Sequence, residues 1–263
     1  MKNLKRSLDL WDKTQILVIG DTIVDQYAAC EPIGLSAEAP VVVVKEIEKK
    51  NFVGGAAIVA SHISSLGAKC HFISVVGSDN EATFINEKLS SESVISHIIT
   101  DQKRPTTFKK RYIVENQKLF RVSKFEDRDI DKKTEEEILT KIKKLAPDLK
   151  GIVISDFVYG VITPKILKEI NAISKKYGLK LFGDLQCSSQ VGSIIKFKNF
   201  SLLCPNEREA RIALGERDIG LELLSQRLLK ETYAERIIMK LGSQGFIAYD
   251  KISSKKYKTQ AFP

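Results

Sequence analysis

Carboxylates and glycines recur in this chain just after short apolar runs. Gly20-Asp21 follows Ile16–Ile19, and Gly77-Ser78-Asp79 follows Phe72–Val76. Ser155-Asp156 follows Ile152–Ile154, and Gly183-Asp184 follows Leu179–Phe182. Asp25, the stretch Asn206–Glu209 and the stretch Gly242–Gly245 extend the series. One aspartate after an apolar run is an ordinary turn or cap residue. Several at one edge can do more. Carboxylates there can hold sugar hydroxyls or a hydrated Mg²⁺, and glycines let backbone N–H groups approach phosphate.

For these residues to meet, the apolar runs must be parallel strands sharing one carboxyl edge, where open α/β sheets bind ligands. Ile16-Leu17-Val18-Ile19 reads as a buried strand. Gly54-Gly55 opens a helix whose apolar positions Ala56, Ala60, Ile63 and Leu66 keep helical spacing and stop at Gly67. Phe72–Val76 is the next strand. Later, Ile138, Leu139, Ile142 and Leu145 mark a helix face, and Ile152–Ile154 a strand. Thr163 is an N-cap, Pro164 fits the first turn, and Ile166, Ile170, Ile173 and Tyr177 form a buried stripe before Gly178. Leu179–Phe182, Leu202-Leu203 and Ile237–Met239 supply further strands. The pattern predicts an α/β fold with a doubly wound, mostly parallel sheet. Residues 94–125 differ: Val94–Ile99, Thr106–Val114 and Leu119–Phe125 are strand-like with no helix between them. With Val41–Val44 they predict a small antiparallel sheet standing apart from the core.

At 263 residues, 43% hydrophobic and 29% charged, the chain is neither disordered, collagen-like nor a small disulfide scaffold. The formal charge of +9 suits nucleic acid, an anionic membrane surface or a phosphorylated small molecule. Its lysine pairs, among them Lys109-Lys110 and Lys175-Lys176, are scattered and read as solvated faces rather than a nucleic-acid footprint. Cys30, Cys70, Cys187 and Cys204 form no CxxC pair, and His62, His71 and His97 sit at no metal-ligand spacing to them. The N-terminus lacks the apolar segment of a signal peptide, and no apolar run approaches the ~20 residues that span a bilayer. The expectation is a cytoplasmic protein with reduced thiols, and neither nucleic acid nor membrane as partner.

In order along the chain stand Ile19-Gly20-Asp21 with Asp25, Ser36-Ala37-Glu38-Ala39-Pro40-Val41, Gly54-Gly55-Ala56-Ala57 and Ser65-Leu66-Gly67-Ala68. Arg121 with Glu126, Ser155-Asp156-Phe157, Pro205-Asn206-Glu207-Arg208-Glu209 and Leu241-Gly242-Ser243-Gln244-Gly245 follow. The ordered set resembles the PfkB (ribokinase-like) carbohydrate kinases, and among them the heptose 7-phosphate kinases that feed ADP-heptose synthesis. The resemblance implies one kinase domain over 1–263, incomplete at its C-terminus, with lid strands at about 39–47 and 94–125. It implies ATP and Mg²⁺ as cofactors, a sugar or sugar phosphate as substrate, and a homodimer through the lid.

The same resemblance assigns roles. Asp25 accepts hydrogen bonds from sugar hydroxyls, Gly54 and Gly55 let the backbone meet the sugar or its phosphate, and Asp156 joins them on the substrate side. Arg121 and Glu126 belong to the lid over the sugar. Asp184, Asn206, Lys240, Gly242 and Gly245 face the nucleotide, and Glu209 with Asn206 orders Mg²⁺ and water around its phosphates. A plainer reading stands beside each. Asp25 can be a turn residue, the glycine pair tight packing, Arg121 and Glu126 a solvated strand face, Glu209 first-turn helix chemistry, and Gly242 and Gly245 a bare hairpin turn.

The chain also departs from the family. Ile58 stands where an Asn is expected, Tyr159 where heptose-phosphate kinases carry a Lys, Asp184-Leu185-Gln186 in place of Asp-Pro-Lys, and Lys240 in place of a Thr. Two of these changes remove cations expected near phosphates, which opens the identity of the substrate. The family's Gly-Ala-Gly-Asp segment, whose Asp is the general base, is expected beyond Pro263, so no catalytic residue is assigned within the chain. The expectation is a truncated kinase with weak or no turnover, the alternatives being an inactive sugar-phosphate or nucleotide binder and, from charge alone, a nucleic-acid binder.

Overall fold

A computed structural model describes residues 10–187, 192–251 and 256–260. Its centre is a nine-stranded sheet built on the apolar runs. Its strands are β1 (Gln15–Gly20), β4 (Lys69–Ile73), β6 (Ile95–Ser96), β10 (Gly151–Asp156), β11 (Lys180–Leu185), β12 (Leu202–Leu203), β13 (Arg236–Lys240), β14 (Phe246–Asp250) and β15 (Lys256–Thr259). The spatial order is β15-β14-β13-β12-β11-β10-β1-β4-β6. Pairing is parallel from β6 through to β13, and antiparallel at β13–β14 and β14–β15. The chain leaves β1 for β4 on one side and later returns to β10 on the other. The two crossovers splay apart there, which is the switch point where such sheets take ligands.

The run Leu17-Val18-Ile19 is continuous because β1 is covered on both faces. Leu17 and Ile19 join one buried cluster with Ile138, Ile142, Ile166 and Ile170, from helices α3 (Lys132–Leu145) and α4 (Pro164–Tyr177). Val18 joins the other, with Phe72 and with Ala56, Ala60 and Ile85 of helices α1 (Ala56–Ser65) and α2 (Asn80–Ser91). The caps of α4 follow the sequence: the Thr163 side chain accepts from Ile166 N, Pro164 opens the helix, and Gly178 closes it at φ 67°. Tyr177 leaves the expected stripe and is 38% exposed, because Leu167 packs inward beside Ile166 and Ile170 instead. The α2 helix had no signal beyond its cap, Asp79, which accepts from Ala82 N at 3.1 Å and from Thr106 N at 2.9 Å. Among the strand-end aspartates, Asp79 is thus a structural one.

A second sheet stands against this core: β3 (Val42–Gly55), β2 (Thr22–Leu35), β8 (Thr107–Val114) and β9 (Gln117–Lys124), in that order. Its outer pairings are antiparallel and the central β2–β8 pairing is parallel. The small second sheet therefore exists, with strands that differ from those expected. Val94–Ile99 does not enter it. Val94 and Ile99 are buried in the two core clusters, so β6 pairs with β4, and β7 (Ile99–Thr100) pairs with β5 (Val75–Val76). In their place the lid takes all of β2 and extends β3 well past Val44. β15, over Lys256–Thr259, forms the outer edge of the large sheet beside β14.

Candidate active site

Where α5 (Glu207–Leu214) begins, Asn206 and Glu209 close a reciprocal cap. The Asn206 side chain accepts from Glu209 N, and the Glu209 carboxylate accepts from Asn206 N, both at 2.8 Å. Glu209 is buried and also accepts the backbone N–H of Cys187 at the end of β11. Burial raises its carboxyl above the ordinary value, against the lowering pull of the Asn206 N–H and of Lys240. Lys240 Nζ bonds Asp184 Oδ1 at 2.6 Å, and Lys240 N donates to Pro205 O at 2.8 Å. Asp184, Lys240, Asn206 and Glu209, expected to serve one ligand, thus lie together across the ends of β11, β12 and β13. Gly242 and Gly245 bracket the β13–β14 turn at φ 60° and 87°, a geometry that favours glycine. The hairpin reading of the two is satisfied whether or not a ligand sits on it.

At the switch point, Asp21 and Asp156 are both buried. Asp21 grips the loop after β10, accepting from Phe157 N at 2.8 Å and from Tyr159 N and Val161 N at 3.2 Å. Burial first, and the like charge of Asp156 second, push the Asp21 carboxyl up to about 7 against those three donors. Asp156 accepts from Val158 N at 2.8 Å and pairs with Lys196. Tyr159 is buried at 2% exposure, and Lys109 Nζ lies 5.2 Å from its ring centroid.

On the lid, register puts Asp25 and Tyr27 of β2, Lys109 and Arg111 of β8, and Arg121 of β9 on one face. Asp25 forms an ion pair with Arg111, whose guanidinium lies 5.3 Å from the Tyr27 ring centroid. The Asp25 carboxylate occupies the space that a Cβ on Gly54 would need, so the glycine there makes room for the acid. Gly55, at φ 64°, turns the chain from lid into helix, and a Cβ on it would meet Asp21 O. A hollow of about 620 Å³ opens on this face, lined by Asp25, Tyr27, Lys50, Phe52 and Ile113 among others. Arg121 stands directly opposite Arg111. Glu126 lies past the end of β9 and pairs with Arg128 at 3.3 Å, apart from the Asp25–Arg111 pair.

Sequence reasoning passed over Arg111, Lys109, Lys196 and the loop-holding role of Asp21. The alternation Lys109-Lys110-Arg111 carried a signal for the first two, since residues two apart share a strand face. Lys196 had none. Among the described residues no three His, Cys, Asp or Glu side chains converge on a metal position.

A family model described as pfkB family carbohydrate kinase matches residues 13–263. Bifunctional protein HldE of Campylobacter jejuni subsp. doylei is 33% identical over 242 residues, covering 91% of this chain and 50% of that protein. Bifunctional protein HldE of Helicobacter acinonychis is 34% identical over 242 residues, covering 90% and 51%. The chain spans about half the length of the curated relatives it matches. Among solved structures, phosphofructokinase-2 from Escherichia coli in complex with substrates and products superposes with a TM-score of 0.75 at 16% identity, covering 95% of this chain and 79% of that one. Arabidopsis thaliana ribokinase complexed with ribose and ATP gives 0.70 at 17%, covering 95% and 78%. At such identities the likeness is one of fold, and the fold is ribokinase-like.

Proposed function

Because the chain belongs to the pfkB family of carbohydrate kinases, we propose that it binds a sugar or sugar phosphate, of the heptose 7-phosphate kind, beneath its lid, and Mg-ATP across the ends of β11–β13. The reaction is transfer of the terminal phosphoryl group to a sugar hydroxyl. The observation that carries this is the division of one sheet edge by Asp156. Asp25 and Gly54 lie on the lid side, and Asp184, Lys240, Asn206 and Glu209 lie together on the other. Phosphoryl transfer asks for this kind of positioning and charge neutralisation more than for covalent chemistry. Asp25 would exchange Arg111 for sugar hydroxyls, and the lid would keep water from the reacting phosphate. Glu209 and Asn206 would hold water-coordinated Mg²⁺, which neutralises charge on the phosphates when bound.

Transfer also needs a group to take the proton of the accepting hydroxyl. Asp21 is held by three backbone N–H groups, Asp25 by Arg111, Asp156 by Val158 N and Lys196, and Asp184 by Lys240. None of these stands idle as a base. A positioned base is worth roughly 10²–10⁴ in rate, so with these four aspartates all held we propose weak turnover. The test is a screen of sugar phosphates with Mg-ATP, reading thermal stabilisation and ADP release together. Stabilisation by both ligands with slow ADP release is expected. Normal turnover overturns the weak-turnover reading, and no stabilisation by either ligand overturns the kinase reading.

A second reading, a sugar-phosphate or nucleotide binder without transfer, is favoured by Ile58 and Tyr159, which take the places of an amide and a cation. It predicts stabilisation with no ADP formed even over hours. The exposed Leu35, Val42, Ile47, Phe120 and Val122 of the lid support a homodimer through that sheet. Light scattering would then give twice the 29.5 kDa chain mass. No helix among the described residues is long and apolar enough to cross a membrane, and we place the protein in the cytoplasm, where ATP and sugar phosphates meet.

A further inference from the structure

Asp156 ends β10 between the two halves of the edge, at 1% exposure. Gln186 N, at the end of β11, donates to its backbone oxygen at 2.8 Å, and Asp21 lies on its other side. Of its carboxylate oxygens, Oδ1 accepts from Val158 N, and Oδ2 faces Lys196 Nζ. Lys196 comes from a different element, the single turn Ile194–Lys196 in the β11–β12 connection, and 31% of its side chain stays exposed. Its amine is anchored on a buried carboxylate, while part of the side chain reaches solvent. The turn that carries Lys196 packs against α5, the helix that Asn206 and Glu209 cap.

A buried ion pair contributes little to net stability once desolvation is counted. Here the ammonium holds a buried carboxylate whose other oxygen is fixed by the Val158 N–H, so the pair is set in place from two different elements. Such an amine is pre-positioned to meet incoming negative charge. The loop after β10 offers no cation of its own, since Tyr159 is buried beneath Lys109.

We propose that Lys196 binds the phosphoryl group in transit, its amine bridging Asp156 and the terminal phosphate of the nucleotide. This rests on the nucleotide reading above. It separates the third phosphate from the first two, which fall to the Asp184–Lys240–Asn206 side of the edge.

The test is calorimetric titration, with Mg²⁺, of ADP and of a non-transferable imido analogue of ATP into the unaltered protein, Lys196→Met and Lys196→Arg. Lys196→Met is expected to weaken the triphosphate analogue about 10- to 100-fold, the range of a lost charge-assisted hydrogen bond, while ADP affinity stays within about twofold. Lys196→Arg recovers most of the loss. The ADP titration doubles as the control for folding. If Lys196→Met fails to fold, Lys196→Gln takes its place, with the triphosphate-to-diphosphate affinity ratio as the readout. An unchanged ratio in the charge-removing variant, or an equal loss for both nucleotides, overturns the role of Lys196 alone. Failure of the unaltered protein to bind either nucleotide overturns the nucleotide reading, and this inference with it.

Discussion

Asn206 and Glu209 hold each other across three residues of one helix turn, whereas Asp25 is held by Arg111, 86 residues away on another strand. The nucleotide side of the edge is thus assembled from local pieces: a capping box, a glycine-bracketed turn, and a lysine reaching one strand over. The lid side exists only when β2, β3, β8 and β9 have found their register, and one slip would turn Asp25 and Arg111 to the opposite face. Local pieces form early and resist perturbation. A register-built site is the more adaptable one, and it is where substrate identity is expected to be set.

The second sheet joins the core at Gly55, where β3 passes into α1, so its substitution should have the largest effect. Gly55→Val forces a branched side chain into φ 64° and against Asp21 O. A cost of about 3 kcal/mol or more is expected, seen as loss of cooperative melting.

Next in size is Asp21. Its proton affinity is raised from the ordinary 3.8 to about 7 in the folded protein. Between those values the folded protein keeps a proton that the unfolded chain has released, so this group's contribution to stability falls as pH rises through the window. Melting curves of Asp21→Asn and the unaltered protein should therefore diverge from pH 4 to pH 7 in favour of the variant, by on the order of 1–3 kcal/mol. The His71–His97 pair, whose pKa values are lowered chiefly by burial, acts in the opposite direction in both proteins and cancels in the difference. Parallel curves would remove the burial argument for Asp21.

Arg111→Ala sharpens the comparison. It should weaken sugar-phosphate binding about tenfold and leave ADP affinity unchanged, because nothing on the nucleotide side leans on it. Asn206→Ala is the converse and the smallest: about 1 kcal/mol of stability, or a melting shift of roughly 2–4 °C, with weakened ADP and unaltered sugar binding.

The same contrast explains what could be read in advance. β1, the Thr163–Pro164 start of α4 and the Asn206–Glu209 cap were legible because each is written within a few residues. The β2–β3 hairpin was not, since Lys45–Phe52 is exposed throughout and carries no apolar alternation. Its strand state comes from pairing with β2. Val94 and Ile99 were drawn to the lid by their β-propensity, but burial in the core decided their place. Among site residues, Asp184, Lys240, Asn206 and Glu209 were named and lie together. Arg111 and Lys196 were missed because their partners, Asp25 and Asp156, lie 86 and 40 residues away.

The most direct test titrates a sugar phosphate and Mg-ADP separately into the unaltered protein, Asp25→Asn and Glu209→Gln. A two-sided kinase edge predicts a crossed result, with Asp25→Asn losing the sugar phosphate alone and Glu209→Gln losing the nucleotide alone. If either variant loses both ligands together, or the unaltered protein binds neither, the division of the edge into a sugar side and a nucleotide side is wrong.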